Sequence, residues 1–209
     1  MRTHTKETQQ SMTPEKALQF LKEGNQRFVS NLKANRNLLQ QVNETSEGQF
    51  PFATILSCID SRTSAELIFD QGLGDIFSIR IAGNVLNEDI LGSMEFACKV
   101  AGSKLLVVLG HTRCGAIYGA CNHVELGHLT SLLQKVKPAI DSETETPQNK
   151  RNGSNDAFVY NVTVNNVHHT MERVRKESPI LAAMEKEGEI LLVGGLYEVE
   201  TGQVTFYQG

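Results

Sequence analysis

Two short motifs carry the residues best suited to chemistry: Cys58-Ile59-Asp60-Ser61-Arg62, and His111-Thr112-Arg113-Cys114 beginning 53 residues after Cys58. Two thiolates and an imidazole make three donors of the kind zinc prefers. Structural zinc sites close their tetrahedron with four protein ligands, whereas catalytic ones leave a position for water or substrate. Three ligands beside a carboxylate and a guanidinium therefore suggest a reactive centre. Taken singly, a Cys-x-Asp or a His-x-x-Cys is weak; the combination, each motif following an apolar run, points to metal.

Those motifs need elements to bring them together. Phe52 to Ser57, Ile76 to Ile81, Lys104 to Gly110 and Ile190 to Leu196 are strand-sized apolar runs, and the third is continuously apolar with β-branched valines. Helical patterns lie between them at about Asn87 to Val100, Gly115 to Asn122 and His128 to Ile140, followed by Phe158 to Lys176 and Ser178 to Glu187. Strands alternating with helices predict an α/β fold, a mostly parallel central sheet flanked by helices. Val204 to Tyr207 is expected to add a C-terminal edge strand. Thr13-Pro14-Glu15 reads as a helix start, with Thr13 as cap, opening an N-terminal helical arm to about Val29. Its apolar face, Ala17, Leu18, Leu21 and Phe28, must bury against this chain or a second subunit. Cys58 and His111 would then sit at the carboxyl ends of two strands, where open α/β sheets place their ligand crevices.

Composition narrows the function. The 209 residues, 40% of them hydrophobic, suffice for a single domain over 13–209, with 1–12 as a flexible N-terminus. Twenty Lys+Arg against 24 Asp+Glu, a net charge of −4, give no case for nucleic acid or an anionic membrane surface. No apolar stretch approaches the roughly 20 residues of a membrane span. The first residues lack a secretory signal, so the cytoplasm is the expected location. Cys98 and Cys121 lie in apolar helical patterns and read as small buried hydrophobes. Asp141 to Asp156, polar throughout, reads as an exposed connection. His4, His123, His128, His168 and His169 read as surface residues, and nothing singles out one of them as a proton carrier.

Cys58-x-Asp60-Ser61-Arg62 with Gly110-His111-Thr112-x-Cys114-Gly115-Ala116 resembles the signature of the beta-class carbonic anhydrases. Glu66 to Asp75, Arg80 to Asn84 and Gly92 to Phe96 extend the resemblance, which spans most of positions 14 to 209. It implies one Zn2+ per chain on Cys58, His111 and Cys114, with water in the fourth position becoming the hydroxide that converts carbon dioxide reversibly to bicarbonate and a proton. Asp60 would orient that hydroxide, Arg62 would hold Asp60, and Asp60 could become a fourth ligand in a closed, inactive state. In some relatives that closed state is linked to a bicarbonate site containing tryptophan. This chain has none, so Asp60 is expected off the metal.

By position, Gln49, Phe77 and Phe96 match substrate-pocket residues of plant-type relatives, Phe96 standing where those have tyrosine. Gly115 offers a backbone N–H to bicarbonate. The family is built from homodimers, often paired into tetramers, with the site at the interface and the N-terminal helix embracing the neighbour. The alternatives are a carbonyl sulfide or carbon disulfide hydrolase on the same scaffold, or a non-enzymatic zinc-stabilised interaction protein.

Overall fold

A computed structural model describes residues 3–208. Its elements in chain order are α1 (Lys6–Gln10), α2 (Pro14–Val29), α3 (Leu38–Glu44), β1 (Ala53–Ser57), α4 (Ala65–Ile68), β2 (Ile76–Arg80), α5 (Glu88–Glu95), β3 (Leu105–His111), α6 (Gly115–Cys121), α7 (Gly127–Gln134), α8 (Lys137–Ser142), α9 (Asp156–Glu177), α10 (Pro179–Lys186), β4 (Leu191–Tyr197) and β5 (Val204–Gln208).

The strands form one sheet in the order β2-β1-β3-β4-β5, parallel except for β5, which runs antiparallel at the edge. Every residue of β1 and β3 is buried, which explains why both read as unbroken apolar runs. The chain places β2 on one side of β1 and then crosses to place β3 on the other. The carboxyl ends of β1 and β3 therefore flank a topological switch point, where such sheets open a crevice. Ser57 pairs with Leu109, so Cys58 and His111 emerge side by side.

Helices cover both faces. One apolar cluster joins α2 to the sheet through Leu21, Phe52, Ile55, Phe69 and Leu109. A second lies under α5, α9 and α10, with Leu56, Met94, Val108, Met171 and Leu181. A third packs α6, α8 and α9 around Ile117, Val136, Phe158 and Val162, and it includes Cys58 and Cys114. The ligand motifs thus rest on packed apolar side chains.

α2 begins as expected: Thr13 accepts from the Lys16 N–H, and Pro14 occupies the first turn. Its apolar face, however, needs no second subunit. Ala17, Leu18 and Leu21 are buried in this chain's own core, which corrects the partner that the resemblance implies for them. The close approach depends on Gly24, where an added Cβ would lie 1.8 Å from the Phe69 carbonyl oxygen. Gly24→Ala should therefore cost about 3 kcal/mol through overpacking, although alanine favours an isolated helix by about 1 kcal/mol. A thermal melt decides the sign: the variant is expected to unfold at lower temperature, and a higher one would contradict this packing.

Several elements depart from the sequence reading. The stretch read as a flexible N-terminus contains α1, capped by Thr5 and Thr8; buried Gln9 donates to the carbonyls of Pro51 and Ala101 at 2.7 and 2.9 Å. Residues 1 and 2 of that stretch lie outside the described span. The helix expected over His128 to Ile140 divides into α7 and α8, because Pro138 has no N–H to continue the ladder. Within the connection read as exposed, Glu143 is buried, accepting from Thr146, Asn161 and Arg151. Among the described residues, no helix is long and apolar enough to cross a membrane.

Candidate metal centre

β1 ends into the loop carrying Cys58, β3 ends on His111, and Cys114 caps the start of α6. All three side chains are buried, and their donor atoms lie within 4.8 Å of one another. The Cys58 and Cys114 sulfurs are 3.9 Å apart. A tetrahedral zinc with Zn–S near 2.3 Å would hold two thiolates about 3.8 Å apart, so the spacing fits.

His111 supplies an independent test. Its Nδ1 lies 2.9 Å from the Thr112 carbonyl oxygen, and since a carbonyl can only accept, the proton sits on Nδ1. That leaves the lone pair on Nε2, which is buried with no hydrogen-bond partner. An orphaned buried acceptor is costly, and a cation between it and the two sulfurs removes the cost. The donor set of two thiolates and one imidazole suits zinc. Among the described residues, this is the one cluster of its kind.

The surroundings favour thiolate at Cys58. Hydrogen bonding from Cys114 draws the Cys58 thiol down to about 4 against the opposing effect of burial, and the same sharing pushes Cys114 up. A metal ion would release the shared proton as well, since its ligands bind deprotonated. The Gly83 N–H points at the Cys58 sulfur at 3.3 Å. Gly83 has φ +67°, a conformation that favours glycine, and its carbonyl is held by Asn166 at 2.9 Å.

Asp60 stands outside the cluster. Both carboxylate oxygens bind Arg62, Oδ1 to Nε at 2.9 Å and Oδ2 to Nη2 at 2.8 Å, while the Arg62 backbone N–H also donates to Oδ1 at 2.9 Å. This bidentate pairing holds the Asp60 carboxyl well below the usual carboxylate range. Arg80 fixes the loop behind it, donating to the carbonyls of Cys58 at 3.0 Å and Asp60 at 2.6 Å, and Thr63 hydroxyl donates to the same two oxygens. The result is a rigid carboxylate beside the three donors.

Of the expected substrate residues, Gly115 follows Cys114 directly at the start of α6. The other three are not brought to this chain's own cluster. Phe77 pairs with Thr54, four residues before Cys58, which is about 13 Å along the strand. Its ring meets Phe96 edge-on at 6.4 Å between centroids, and Phe96 is 54% exposed. Gln49 is exposed and lines a groove with Gln9, Val100 and Lys104 at the amino end of the sheet. Cys98 and Cys121 are buried and free, with burial pushing them up to about 12 and about 11, as expected of small hydrophobes.

Sequence reading missed the supports of the centre: Gly83, Asn166, Arg80 and the contact of Thr112 with Glu198. Arg80, Gly83 and Thr112 lie in stretches that carry the resemblance, though without an assigned role; Asn166 and Glu198 gain meaning only from three-dimensional contact.

Known proteins similar to this chain share one family description. The carbonic anhydrase family model matches residues 53–204. Carbonic anhydrase 2 of Mycobacterium tuberculosis is 34% identical over 198 residues, covering 91% of each chain. Among solved structures, the beta-carbonic anhydrase CcaA superposes with a TM-score of 0.70 at 25% identity, covering 92% of this chain and 95% of its own. One of two tetrameric beta-carbonic anhydrases of the filamentous ascomycete Sordaria macrospora has the same fold, with a TM-score of 0.67 at 20% identity over 80% of this chain and 89% of its own.

Proposed function

The chain belongs to the beta-class carbonic anhydrases, and on that premise we propose that it binds one zinc ion through Cys58, His111 and Cys114 and catalyses the reversible hydration of carbon dioxide to bicarbonate and a proton. The observation that carries the zinc reading is the buried, unpartnered Nε2 of His111 facing two cysteine sulfurs 3.9 Å apart. Held there, zinc would lower the pKa of a bound water from about 15.7 to about 7 and so supply a hydroxide nucleophile near neutral pH.

The chain's own groups do the rest. Asp60, ionised and held in place by Arg62, accepts a hydrogen bond from the nucleophile and turns its lone pair toward the substrate. Arg62 donates from two nitrogens and so fixes the plane of that carboxylate. The Gly115 N–H, at the start of α6 next to Cys114, would donate to a bicarbonate oxygen.

Gln49, Phe77 and Phe96 support a dimer. Aromatic walls and an amide suit carbon dioxide and bicarbonate, yet these side chains lie away from their own chain's metal cluster. A second copy would bring them to it, completing the pocket across an interface, and two such dimers could pair into a tetramer. Four free cysteines accord with a cytoplasmic setting, where thiols stay reduced.

Two thiolates neutralise more of the metal charge than imidazoles would, so the nucleophile should form less readily than on a three-histidine site. Carbon dioxide hydration measured by stopped flow is therefore expected to rise as pH increases from 6 to 9. A flat profile over that range would contradict the proposed nucleophile, and faster turnover of carbonyl sulfide than of carbon dioxide would favour the hydrolase alternative.

A further inference from the structure

We propose that Glu198, in the turn after β4, is a positioning residue for the metal centre that acts through Thr112 on His111. The inference rests on the reading of Cys58, His111 and Cys114 as zinc ligands.

Thr112 and Arg113 separate the two ligands of the second motif, so the conformation of these two residues sets how His111 and Cys114 face each other. Thr112 bears on His111 directly, because its carbonyl takes the Nδ1 proton at 2.9 Å and thereby aims Nε2. If the Thr112 peptide rotates, the imidazole loses that guide. Arg113 adopts φ +54°, a left-handed conformation that costs a non-glycine residue on the order of 1 kcal/mol or more. The loop therefore has a local tendency to relax, and something outside it must oppose that.

Arg62 Nη2 donates to the Arg113 carbonyl at 3.3 Å, and the remaining opposing contacts come from residues 197–200. Because His111 pairs with Tyr197, the two strand ends bring these segments together although Thr112 and Glu198 are 86 positions apart in sequence. The Thr112 N–H donates to the Tyr197 carbonyl at 3.0 Å. The Thr112 hydroxyl donates to Glu198 Oε1 at 2.7 Å and accepts from the Val199 N–H at 3.1 Å. That same carboxylate oxygen accepts from the Glu200 N–H at 3.1 Å, which steadies the acceptor. Glu200 in turn pairs with Arg113, and that pair is exposed on both sides, where such contacts contribute little. Among the side chains that reach the ligand loop, Glu198 is the half-buried one, and its charge strengthens the bond it accepts from Thr112. Partners that orient a metal-binding histidine from behind typically change metal affinity by about 10-fold to 100-fold when removed.

The test is the rate at which zinc leaves the loaded protein into excess chelator, followed with a zinc-sensitive dye. Glu198→Ala is expected to release zinc about 10-fold to 100-fold faster than the native chain. Glu198→Gln should stay near the native rate, since its amide oxygen can still accept from Thr112. Thr112→Val, close in shape and lacking only the hydroxyl, should accelerate release as Glu198→Ala does, and the double variant should add nothing further. The cobalt-substituted protein offers a second readout: Glu198→Ala should alter the visible ligand-field absorption, which a contact serving only to tie two loops together would leave unchanged. Native-rate release in both Glu198→Ala and Thr112→Val would overturn the inference while leaving the zinc site standing. A native chain that takes up no zinc at all would overturn the site itself.

Discussion

Cys114→Ser is expected to lose bound zinc and with it carbon dioxide hydration, by on the order of 10³-fold or more, since the group that would lower the pKa of the attacking water is removed. Serine is nearly the same size, so the packing around Ile117 and Val136 survives. Its hydroxyl, however, stays protonated near neutrality and cannot replace a thiolate. Only His111 and Cys58 would remain, and two protein ligands hold zinc far less tightly than three. Metal analysis and stopped-flow hydration on the same sample read both effects. The native chain should also gain thermal stability on adding zinc, because the ion binds the folded site and not the unfolded chain, and the variant should gain little. A variant that kept full zinc and full turnover would show that Cys114 is not a ligand.

Asp60→Asn should do the opposite to the metal and still lower the rate. The asparagine leaves Cys58, His111 and Cys114 untouched, so zinc should remain at one per chain. The amide cannot accept from Arg62 through both of its atoms as the carboxylate does at 2.9 and 2.8 Å, and it no longer offers a charged acceptor to the nucleophile. Groups that manage a proton at the reacting atom contribute about 10² to 10⁴ in rate, and a fall of about 10²-fold in turnover is expected.

Arg62→Ala separates charge from aim. With Arg62 present the Asp60 carboxyl is held below its usual range; without it the pKa returns toward about 3.9, still far below neutrality. Asp60 therefore stays ionised at pH 8 in this variant, and any loss of turnover there reflects lost orientation. The same pair has a stability signature. Because the folded-state pKa is depressed, its contribution is present above about pH 3.9 and disappears as the pH falls through the folded value, so Arg62→Ala should flatten the acid limb of the unfolding profile. A non-enzymatic zinc module predicts that neither substitution matters to its function.

Much of this centre is legible in the chain because its strands are buried on both faces. β1 and β3 show as unbroken apolar runs, and Cys58 and His111 stand at their ends, where a parallel sheet gathers ligands. The helix start at Thr13-Pro14 is equally local, a cap and a proline in sequence. What escapes is non-local or locally ambiguous. α3 has an Asn37 cap but too few apolar residues facing the core to mark a helix. The break between α7 and α8 depends on a single proline inside an apolar pattern. Thr112 and Glu198 look like ordinary polar residues until two strand ends place them 2.7 Å apart. The apolar face of α2 posed a choice between this chain and a neighbour, and Gly24 decides it by letting the helix approach Phe69. Gln49, Phe77 and Phe96 illustrate the reverse case: matched by position to a pocket, they lie apart from the metal cluster of their own chain, and the proposed pocket shared between copies would leave no trace in the spacing of one.

The most direct measurement is carbon dioxide hydration by stopped flow at pH 8.5 on protein whose zinc content has been varied by chelation and replenishment. Turnover is expected to rise in proportion to zinc and to level off at one ion per chain. Protein carrying one zinc per chain that hydrates no carbon dioxide, or hydration that persists when the metal is stripped, would contradict the account.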